Sequence, residues 1–183
     1  MMNRSEPGTV AVLGADALGR RFAAAAWRAG YRTILEDFRG DVLERAHAEL
    51  LAEFDTNAAR GRLMRARTVE DACRDAELVI DTTVDDSELK LEIYTLLDKF
   101  ARPGAACATI ADSISIAELG AITYRPELCV GLRLAGRVAD AEFLTIIRAP
   151  KTSEDAVRAC LDFARRVGWK SAVEVETAAP SAG

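Results

Sequence analysis

Short apolar runs alternate with stretches of helical periodicity from one end of the chain to the other. The strand-like runs lie at residues 10–13, 33–35, 76–84, 105–111, 127–134, 143–149 and 171–176. Continuous apolar runs of this kind are typical of strands that are buried on both faces of a parallel sheet. Because helical segments separate them, the pattern predicts an α/β fold with helices on both sides of the sheet.

Between these runs, apolar residues recur at the three- and four-residue spacing of amphipathic helices. The predicted apolar faces are Leu18, Phe22, Ala25 and Ala29; Val42, Leu43, Ala46, Leu50 and Phe54; Leu89, Ile93, Leu96 and Phe100; and Val157, Leu161 and Ala164. Gly30 is predicted to end the first helix, while Asp41 and Ser153 are predicted to cap the second and the last. A short helix is predicted at 69–74, after a polar segment at 57–68.

The whole pattern predicts a Rossmann-type fold with a doubly wound, mostly parallel sheet. We expect a single domain over residues 9–176, because 183 residues suffice for one full core and are few for two. Residues 1–8 and 177–183 lack the periodicity of the rest, and we expect both segments to be disordered.

Composition argues against several kinds of partner and site. The 24 Lys and Arg residues against 29 Asp and Glu give a net charge of −5 at pH 7, whereas a general nucleic-acid surface is basic. No apolar stretch approaches the roughly 18 residues of a membrane span, and the first residues lack a signal-peptide core. We therefore expect a cytoplasmic protein without nucleic-acid or membrane partners. Cys73, Cys107, Cys129 and Cys160 lack zinc-site spacing, so we expect buried free thiols and no metal.

Candidate chemistry begins at the turn after the first strand, from Gly14 to Gly19. In the dinucleotide-binding pattern G-x-G-x-x-G, the first glycine makes the tight turn and the third lets the helix pack on the strand. The helix start then offers N–H groups to the pyrophosphate. Asp37, about 20 residues after the turn, is placed to bind the adenosine ribose, which favours NAD over NADP. Gly14, Ala15, Gly19 and Asp37 are therefore candidate cofactor ligands. The alternative is that the glycines serve only the turn and that Asp37 is a solvated loop acid.

Asp16 stands where the second glycine of that pattern lets the backbone approach the phosphates. One carboxylate about 4 Å from a phosphate charge costs on the order of 4 kcal/mol at an effective dielectric constant near 20. This cost is roughly a thousandfold in affinity. A rotamer that points to solvent reduces it, and Asp16 is also a suitable helix N-cap. We therefore expect Asp16 to weaken NAD binding and Asp16→Gly to strengthen it.

The succession of motifs resembles the NAD-binding domain of the 3-hydroxyacyl-CoA dehydrogenase family. The matching stretches, in order along the chain, are VAVLGADALGRRFAAAAWRAGY, DAELVIDTTVDDSELKLEIYTLLDKF, SISIAELG, RPELCVGL and FARRVGW. The resemblance implies that residues after the fourth strand contact the cofactor, here Thr82, Asp85 and Lys90. The alternative is that Lys90 forms an i,i+4 charge pair with Asp86 on the helix surface.

The resemblance also implies a catalytic His–Glu pair, with the histidine as general base toward the 3-hydroxyl group, and a substrate-binding Asn-Thr-Ser-Ser turn. Arg133 takes the histidine position in GLRLAGR, and Thr145 takes the glutamate position in FLTII. The turn reads Ile110-Ala111-Asp112-Ser113, which retains only the last serine. An arginine stays protonated and cannot act as the base. His47, the one histidine of the chain, is expected to be a packed or surface residue of the second helix. No residue therefore fits the family's catalytic pattern.

Asp112, Ser113 and Arg133, with Asp16, are the candidate cleft residues. Asp112 and Arg133 replace a serine and a histidine that face the same site in the family, so we expect them to pair and fill the former cleft. The alternative is that Arg133 holds an anionic ligand.

Three functional hypotheses follow from the resemblance. It implies a longer helical hairpin after the second helix and a C-terminal helical domain that completes the active site, and we expect the chain to lack both. The first hypothesis is a non-catalytic binding module in which a protein partner or self-association replaces that domain. The second is an NAD-dependent oxidoreductase on a 3-hydroxyacyl thioester or related hydroxy acid, with catalytic groups from elsewhere or from a partner. The third is a small-ligand sensor or carrier.

Overall fold

The computed structural model describes residues 8–53, 62–110, 112–138 and 141–177. The strands are β1 (Thr9–Leu13), β2 (Arg32–Glu36), β3 (Leu63–Ala66), β4 (Leu78–Asp81), β5 (Ala106–Thr109), β6 (Cys129–Val138), β7 (Ala141–Arg148) and β8 (Lys170–Val175). The helices are α1 (Ala17–Arg28), α2 (Gly40–Glu53), α3 (Val69–Cys73), α4 (Ser87–Phe100), α5 (Ile116–Ala121) and α6 (Glu154–Arg166), with a short 3-10 helix at Pro126–Leu128. Strands and helices alternate over most of the chain, as the apolar pattern predicts.

All eight strands join one sheet in the order β3-β2-β1-β4-β5-β6-β7-β8. Neighbouring strands run parallel except for β6 and β7, which are antiparallel. The strand order reverses between β1 and β4, and in doubly wound sheets ligands bind at the carboxyl ends of the strands at such a point. The predicted Rossmann-type, mostly parallel fold is confirmed. It places the turn after β1 beside the end of β4.

Two apolar clusters cover the two faces of the sheet. On one face, Phe22 of α1, Leu50 of α2 and Phe163 of α6 pack together, and the Phe163 ring lies 5.9 Å from that of Trp169. On the other face, α3, α4 and α5 bury a second cluster that contains Tyr94. Each large apolar side chain that is buried contributes about 1.5–3 kcal/mol. The two clusters therefore make the sheet a rigid support for its carboxyl edge.

Local expectations are mostly correct, with three differences. The strand β3 lies in the polar segment at 57–68, where no strand is predicted, because an edge strand that pairs only with β2 exposes Met64 and Arg65 and lacks a continuous apolar run. The helix α5 has no counterpart among the predicted elements. Asp41 lies inside the first turn of α2 and does not precede the helix. Phe54 lies outside the described residues, as do residues 1–7 and 178–183 of the segments 1–8 and 177–183 that are predicted to be disordered.

The four cysteines are free and buried, as predicted. Burial raises the pKa of the Cys73 and Cys129 thiols to about 11 and that of Cys160 to about 12. Across the ranges that the structure describes, no three His, Cys, Asp or Glu side chains are grouped so as to hold a metal ion. None of the described helices has the length and apolar character needed to cross a membrane.

Candidate functional site

The turn after β1 is shaped by two glycines. Gly14 has a φ of +91°, a conformation that L side chains rarely adopt, and a Cβ at this residue would lie 3.0 Å from the Thr82 hydroxyl. A Cβ on Gly19 would overlap the Gly14 carbonyl oxygen. Close packing of α1 on the end of β1 therefore requires both glycines.

Thr82 supports this turn from the neighbouring strand. Its buried hydroxyl group donates to the carbonyl oxygens of Leu13, at 2.9 Å, and Gly14, at 3.2 Å. Thr82 was predicted to contact a cofactor, and the structure places it directly beneath the turn, where it fixes the backbone on which a cofactor would rest.

The first turn of α1 receives no side-chain cap from Asp16, the residue that precedes the helix. Asp16 has an extended backbone, and its side chain accepts no hydrogen bond from the first turn of the helix. The first N–H groups of an α-helix have no acceptor within the helix. They form, with the helix dipole, a site suited to phosphate groups.

Asp37 is buried at the end of β2 and is bonded to the turn. One carboxylate oxygen, Oδ2, accepts the Ala15 backbone N–H at 2.8 Å, and Oδ1 accepts the Arg39 backbone N–H at 2.9 Å. Burial opposes ionisation, but hydrogen bonds from the Arg39 side chain and from these two N–H groups hold the pKa of Asp37 below its usual value. Asp37 is therefore not the solvated loop acid of the alternative interpretation.

Arg39 joins the two acids at the mouth of the turn. Its Nη2 atom donates to Asp16 Oδ2 at 2.9 Å and to Asp37 Oδ2 at 2.9 Å, and its Nε donates to Asp37 Oδ1 at 3.0 Å. Hydrogen bonds to Asp37 and then to Asp16 raise the pKa of Arg39 above its usual value. Sequence reasoning missed this residue, although the Asp-x-Arg spacing at the end of the second strand was a usable signal. We call Asp16, Arg39 and Asp37 the Arg39 bridge.

Glu36 is a second buried acid at this edge that sequence reasoning missed. It pairs in register with Leu13, which in turn pairs with Asp81, so Glu36 and Asp81 share one face of the sheet. Burial, followed by the charges of Asp37 and Asp81, raises the pKa of Glu36 to about 7. Its charge therefore changes near neutral pH.

Lys90 lies inside the protein and not on the helix surface. Its side chain is fully buried and donates to Asp81 Oδ2 at 2.8 Å and to the Thr83 carbonyl oxygen at 3.1 Å. Asp86, its predicted i,i+4 partner, instead caps α4 by accepting the Leu89 N–H. The predicted surface pairing of Lys90 with Asp86 is therefore wrong, because the Lys90 side chain is buried against Asp81 at the end of β4. Its contact with a cofactor stays a prediction.

Asp85 and the Asp112–Ser113 turn, which were predicted separately, are joined in the structure. The Asp85 carboxylate accepts the Asp112 N–H at 3.0 Å and the Ser113 hydroxyl at 2.7 Å. Slight burial opposes ionisation of Asp85. The hydrogen bonds from the Ser113 hydroxyl and from the Asp112 and Ser113 N–H groups nevertheless lower its pKa. Asp85 thus ties the loop after β5 to the loop after β4.

Arg133 and Thr145 lie directly opposite each other on the antiparallel strands β6 and β7. Opposite residues share a face, with Cβ atoms about 4.5–5.5 Å apart, as a catalytic pair at these two positions requires. Arg133 is exposed and donates to Glu174 of β8 at 3.3 Å. The predicted pairing of Arg133 with Asp112 is therefore wrong. The partner is a carboxylate on β8, which lies beside β7, and the sequence pattern did not indicate this neighbour.

His47 is half-buried on α2, and burial lowers its pKa.

Comparison with known proteins supports one family. The family described as 3-hydroxyacyl-CoA dehydrogenase, NAD binding domain, matches residues 9–178. The chain is 30% identical over 176 residues to a 3-hydroxybutyryl-CoA dehydrogenase of Bradyrhizobium diazoefficiens, covering 90% of this chain and 60% of that protein. It is 26% identical over 178 residues to a probable 3-hydroxybutyryl-CoA dehydrogenase of Bacillus subtilis, covering 91% of this chain and 61% of that protein.

Solved structures agree with this match at the level of the fold. The crystal structure of FadB2 of M. tuberculosis superposes with a TM-score of 0.81 at 24% identity, covering 94% of this chain and 65% of that one. The (S)-3-hydroxybutyryl-CoA dehydrogenase PaaH1 of Ralstonia eutropha superposes with a TM-score of 0.83 at 21% identity, covering 93% and 64%. The chain spans about 60% of the length of the curated relatives it matches. By this match over nearly its whole length, the chain belongs to the NAD-binding-domain family of the 3-hydroxyacyl-CoA dehydrogenases.

Proposed function

We propose that this chain is an NAD-binding module that does not itself carry the acid–base chemistry of its family. The observation that carries the proposal is the pair on β6 and β7. At the two positions that the resemblance assigns to a His–Glu pair, Arg133 lies opposite Thr145, and the Arg133 guanidinium is held by Glu174. Neither an arginine nor a threonine exchanges a proton with a hydroxyl group near neutral pH.

The turn after β1 supports the cofactor half of the proposal. The Gly14 and Gly19 geometry leaves no room for a Cβ, the start of α1 is uncapped, and the Asp37 carboxylate lies beside the turn at the end of β2. These residues fit a dinucleotide, with the pyrophosphate on the helix start and the ribose hydroxyls on Asp37. When bound, NAD would supply a nicotinamide ring able to accept or give a hydride.

A protein partner or self-association is part of the same proposal. Val173 and Val175 are exposed on β8, which is an edge strand of the sheet, and exposed apolar side chains on an edge strand favour contact with another chain. Sedimentation velocity on the purified chain tests this part. A dimer that dissociates in a Val175→Lys variant supports it, and a monomer at all concentrations argues against self-association.

A second candidate function is an NAD-dependent oxidoreductase on a 3-hydroxyacyl thioester, with the base supplied by a partner. The contact between Asp85 and Ser113 favours this function. It holds the turn at 112–113, which the resemblance assigns to substrate binding, against the loop after β4.

Calorimetric titration with NAD⁺ and NADH at low salt, followed by a hydride-transfer assay with 3-hydroxybutyryl-CoA, tests both functions. Binding without turnover is the expected result. Turnover by the chain alone would replace the proposal with an oxidoreductase, and absence of binding up to millimolar cofactor would overturn it. The matched variant Arg133→His/Thr145→Glu restores the family's pair, with Thr145→Glu alone as its control. A gain of turnover only in the double variant would show that the missing pair is what limits the chain.

A further inference from the structure

The carboxylate that stands at the second glycine position is not isolated. Arg39 Nη2 is 2.9 Å from Asp16 Oδ2 and 2.9 Å from Asp37 Oδ2, so one guanidinium group spans both acids. Asp16 is half-exposed, and its carboxylate contacts Arg39 and not the first-turn N–H groups of α1. The repulsion that Asp16 would exert on a phosphate is therefore opposed by a positive charge in direct contact with it.

The surroundings of Asp16 are balanced in charge. A hollow of about 250 Å³ beside it is also lined by Arg20, Arg45 and Glu49. Together with the Arg39 bridge, this region contains three arginines and three carboxylates. The surface that a pyrophosphate would approach is therefore not negative overall, although the aspartate alone suggests that it is.

The hydrogen bonds on Asp37 show how Arg39 would respond to a ribose. A carboxylate offers about four acceptor positions, and the Ala15 N–H, the Arg39 N–H, the Arg39 Nε and the Arg39 Nη2 fill all of them. A ribose hydroxyl group that donates to Asp37 must take the place of one of these donors. The Arg39 side chain is the donor that has a second carboxylate, Asp16, to retain it.

We propose that Arg39 is a positioning residue for NAD binding. Its guanidinium neutralises Asp16 at the phosphate turn and releases Asp37, so that the Asp37 carboxylate can accept a hydroxyl group of the adenosine ribose. The inference rests on the proposed function, because it requires that the chain binds NAD. In this arrangement the Asp16 charge is compensated by Arg39. The effects of substituting Asp16 and Arg39 on NAD affinity are therefore expected to depend on each other.

Calorimetric titration of NAD⁺ at low salt into four proteins tests the proposal: the unmodified chain, Asp16→Asn, Arg39→Ala and the double variant. We expect Arg39→Ala to lower affinity about tenfold or more, Asp16→Asn to change it less than about threefold, and the double variant to recover most of the loss. The two backbone N–H bonds to Asp37 remain in every variant. Arg45→Ala removes an equal charge from the hollow beside Asp16 and serves as the control, with an expected change below about threefold.

Three other outcomes would contradict the role of Arg39 or the proposed NAD binding. If Asp16→Asn does not rescue Arg39→Ala, or if it alone raises affinity about a hundredfold, Asp16 is not compensated by Arg39 and the inference fails while NAD binding stands. If NADP binds more tightly than NAD and Arg39→Ala abolishes that preference, Arg39 is a ligand of the 2′-phosphate and the inference also fails. If neither the unmodified chain nor Asp16→Asn binds NAD, the proposed function and the inference fall together. Thermal unfolding confirms that all variants are folded.

Discussion

At the scale of single residues, the buried acids at the carboxyl edge of the sheet differ in whether a positive charge accompanies them. Asp81 is fully buried, but its carboxylate is paired with Lys90 and accepts the Thr83 and Thr109 hydroxyl groups at 2.6 and 2.7 Å. Buried charges that are paired and hydrogen-bonded in this way are tolerated, whereas removal of one partner is strongly destabilising. Glu36, in contrast, is buried close to Asp37 and Asp81, and both burial and these charges oppose its ionisation.

Glu36 is expected to make stability depend on pH. Its pKa is about 7 in the folded protein against an ordinary value of 4.5, so between these values the folded state holds a proton that the unfolded state has lost. This contribution to stability is fully present below about pH 4.5 and is lost as the pH rises through about 7. Glu36→Gln stays neutral, so the variant should be more stable than the unmodified chain at pH 8, by up to about 3 kcal/mol.

Urea denaturation at pH 4.5, 6 and 8 measures this effect. The advantage of Glu36→Gln should shrink toward zero at the lowest pH. Glu92→Gln, an exposed position on α4, serves as the matched control and should show no such trend. An advantage of Glu36→Gln that is equal at all three values would show that Glu36 does not titrate in this range.

At the scale of elements, several helix ends are satisfied by side chains, most of them local and one from another part of the fold. The side chains of Asp86 and Ser153 cap α4 and α6, and Ser115 and Glu118 form a capping box at α5. The carboxyl end of α4 is held from outside: Arg125, just before the 3-10 helix, donates to the carbonyl oxygens of Leu97 and Asp98 at 2.9 and 2.5 Å. The last carbonyls of a helix lack the full set of partners within it. The Leu97 carbonyl also accepts the Ala101 N–H at 2.9 Å, and Arg125 adds charged donors at Leu97 and Asp98.

Arg125→Met should therefore destabilise the protein by about 2 kcal/mol, because it keeps most of the side-chain volume and removes the charged donors. Hydrogen exchange should accelerate first in the last turn of α4. Arg158→Met, which removes an exposed i,i+3 ion pair with Asp155 on α6, is the control and should cost less than about 0.5 kcal/mol. Equal losses of stability in the two variants would contradict the role given to Arg125.

At the scale of the whole molecule, the predicted single domain rests on one sheet shared by two apolar clusters. Cys160 lies in the cluster that contains α1, α2 and α6, whereas Cys73 and Cys107 lie in the cluster on the opposite face. The two faces cannot lose their packing independently if β1, β4 and β5 belong to both. We therefore expect one cooperative unfolding transition.

Pulsed thiol labelling along a urea series, read by mass spectrometry, reports the two faces separately. Cys160 and Cys107 should become reactive at the same urea concentration, and this midpoint should coincide with loss of the far-ultraviolet circular dichroism. Labelling of one of them well before the other would show that the two faces unfold as separate units, and that 9–176 is not one domain in the thermodynamic sense.

Sequence reasoning reached the part of the site that is defined by local geometry. The roles of Gly14, Gly19 and Asp37 follow from the short strand–turn–helix unit, in which backbone sterics and helix polarity act over a few residues. Through the resemblance, it also assigned residues 133 and 145 to the family's catalytic pair, and the structure shows that they lie opposite each other. It did not reach the Arg39 bridge or the burial of Lys90, because those depend on which side chains the sheet brings together.

The sequence by itself determined that this protein is a doubly wound α/β fold with a glycine turn after its first strand, and which residue types stand at each position of the site. Periodicity and glycine sterics are short-range properties, so a linear pattern contains them. Only the tertiary structure decided which charges neutralise one another: Asp37 meets a backbone group 22 positions away, and Arg133 meets Glu174 41 positions away and not Asp112. Such partners depend on strand order and burial, and both arise only when the whole sheet has assembled.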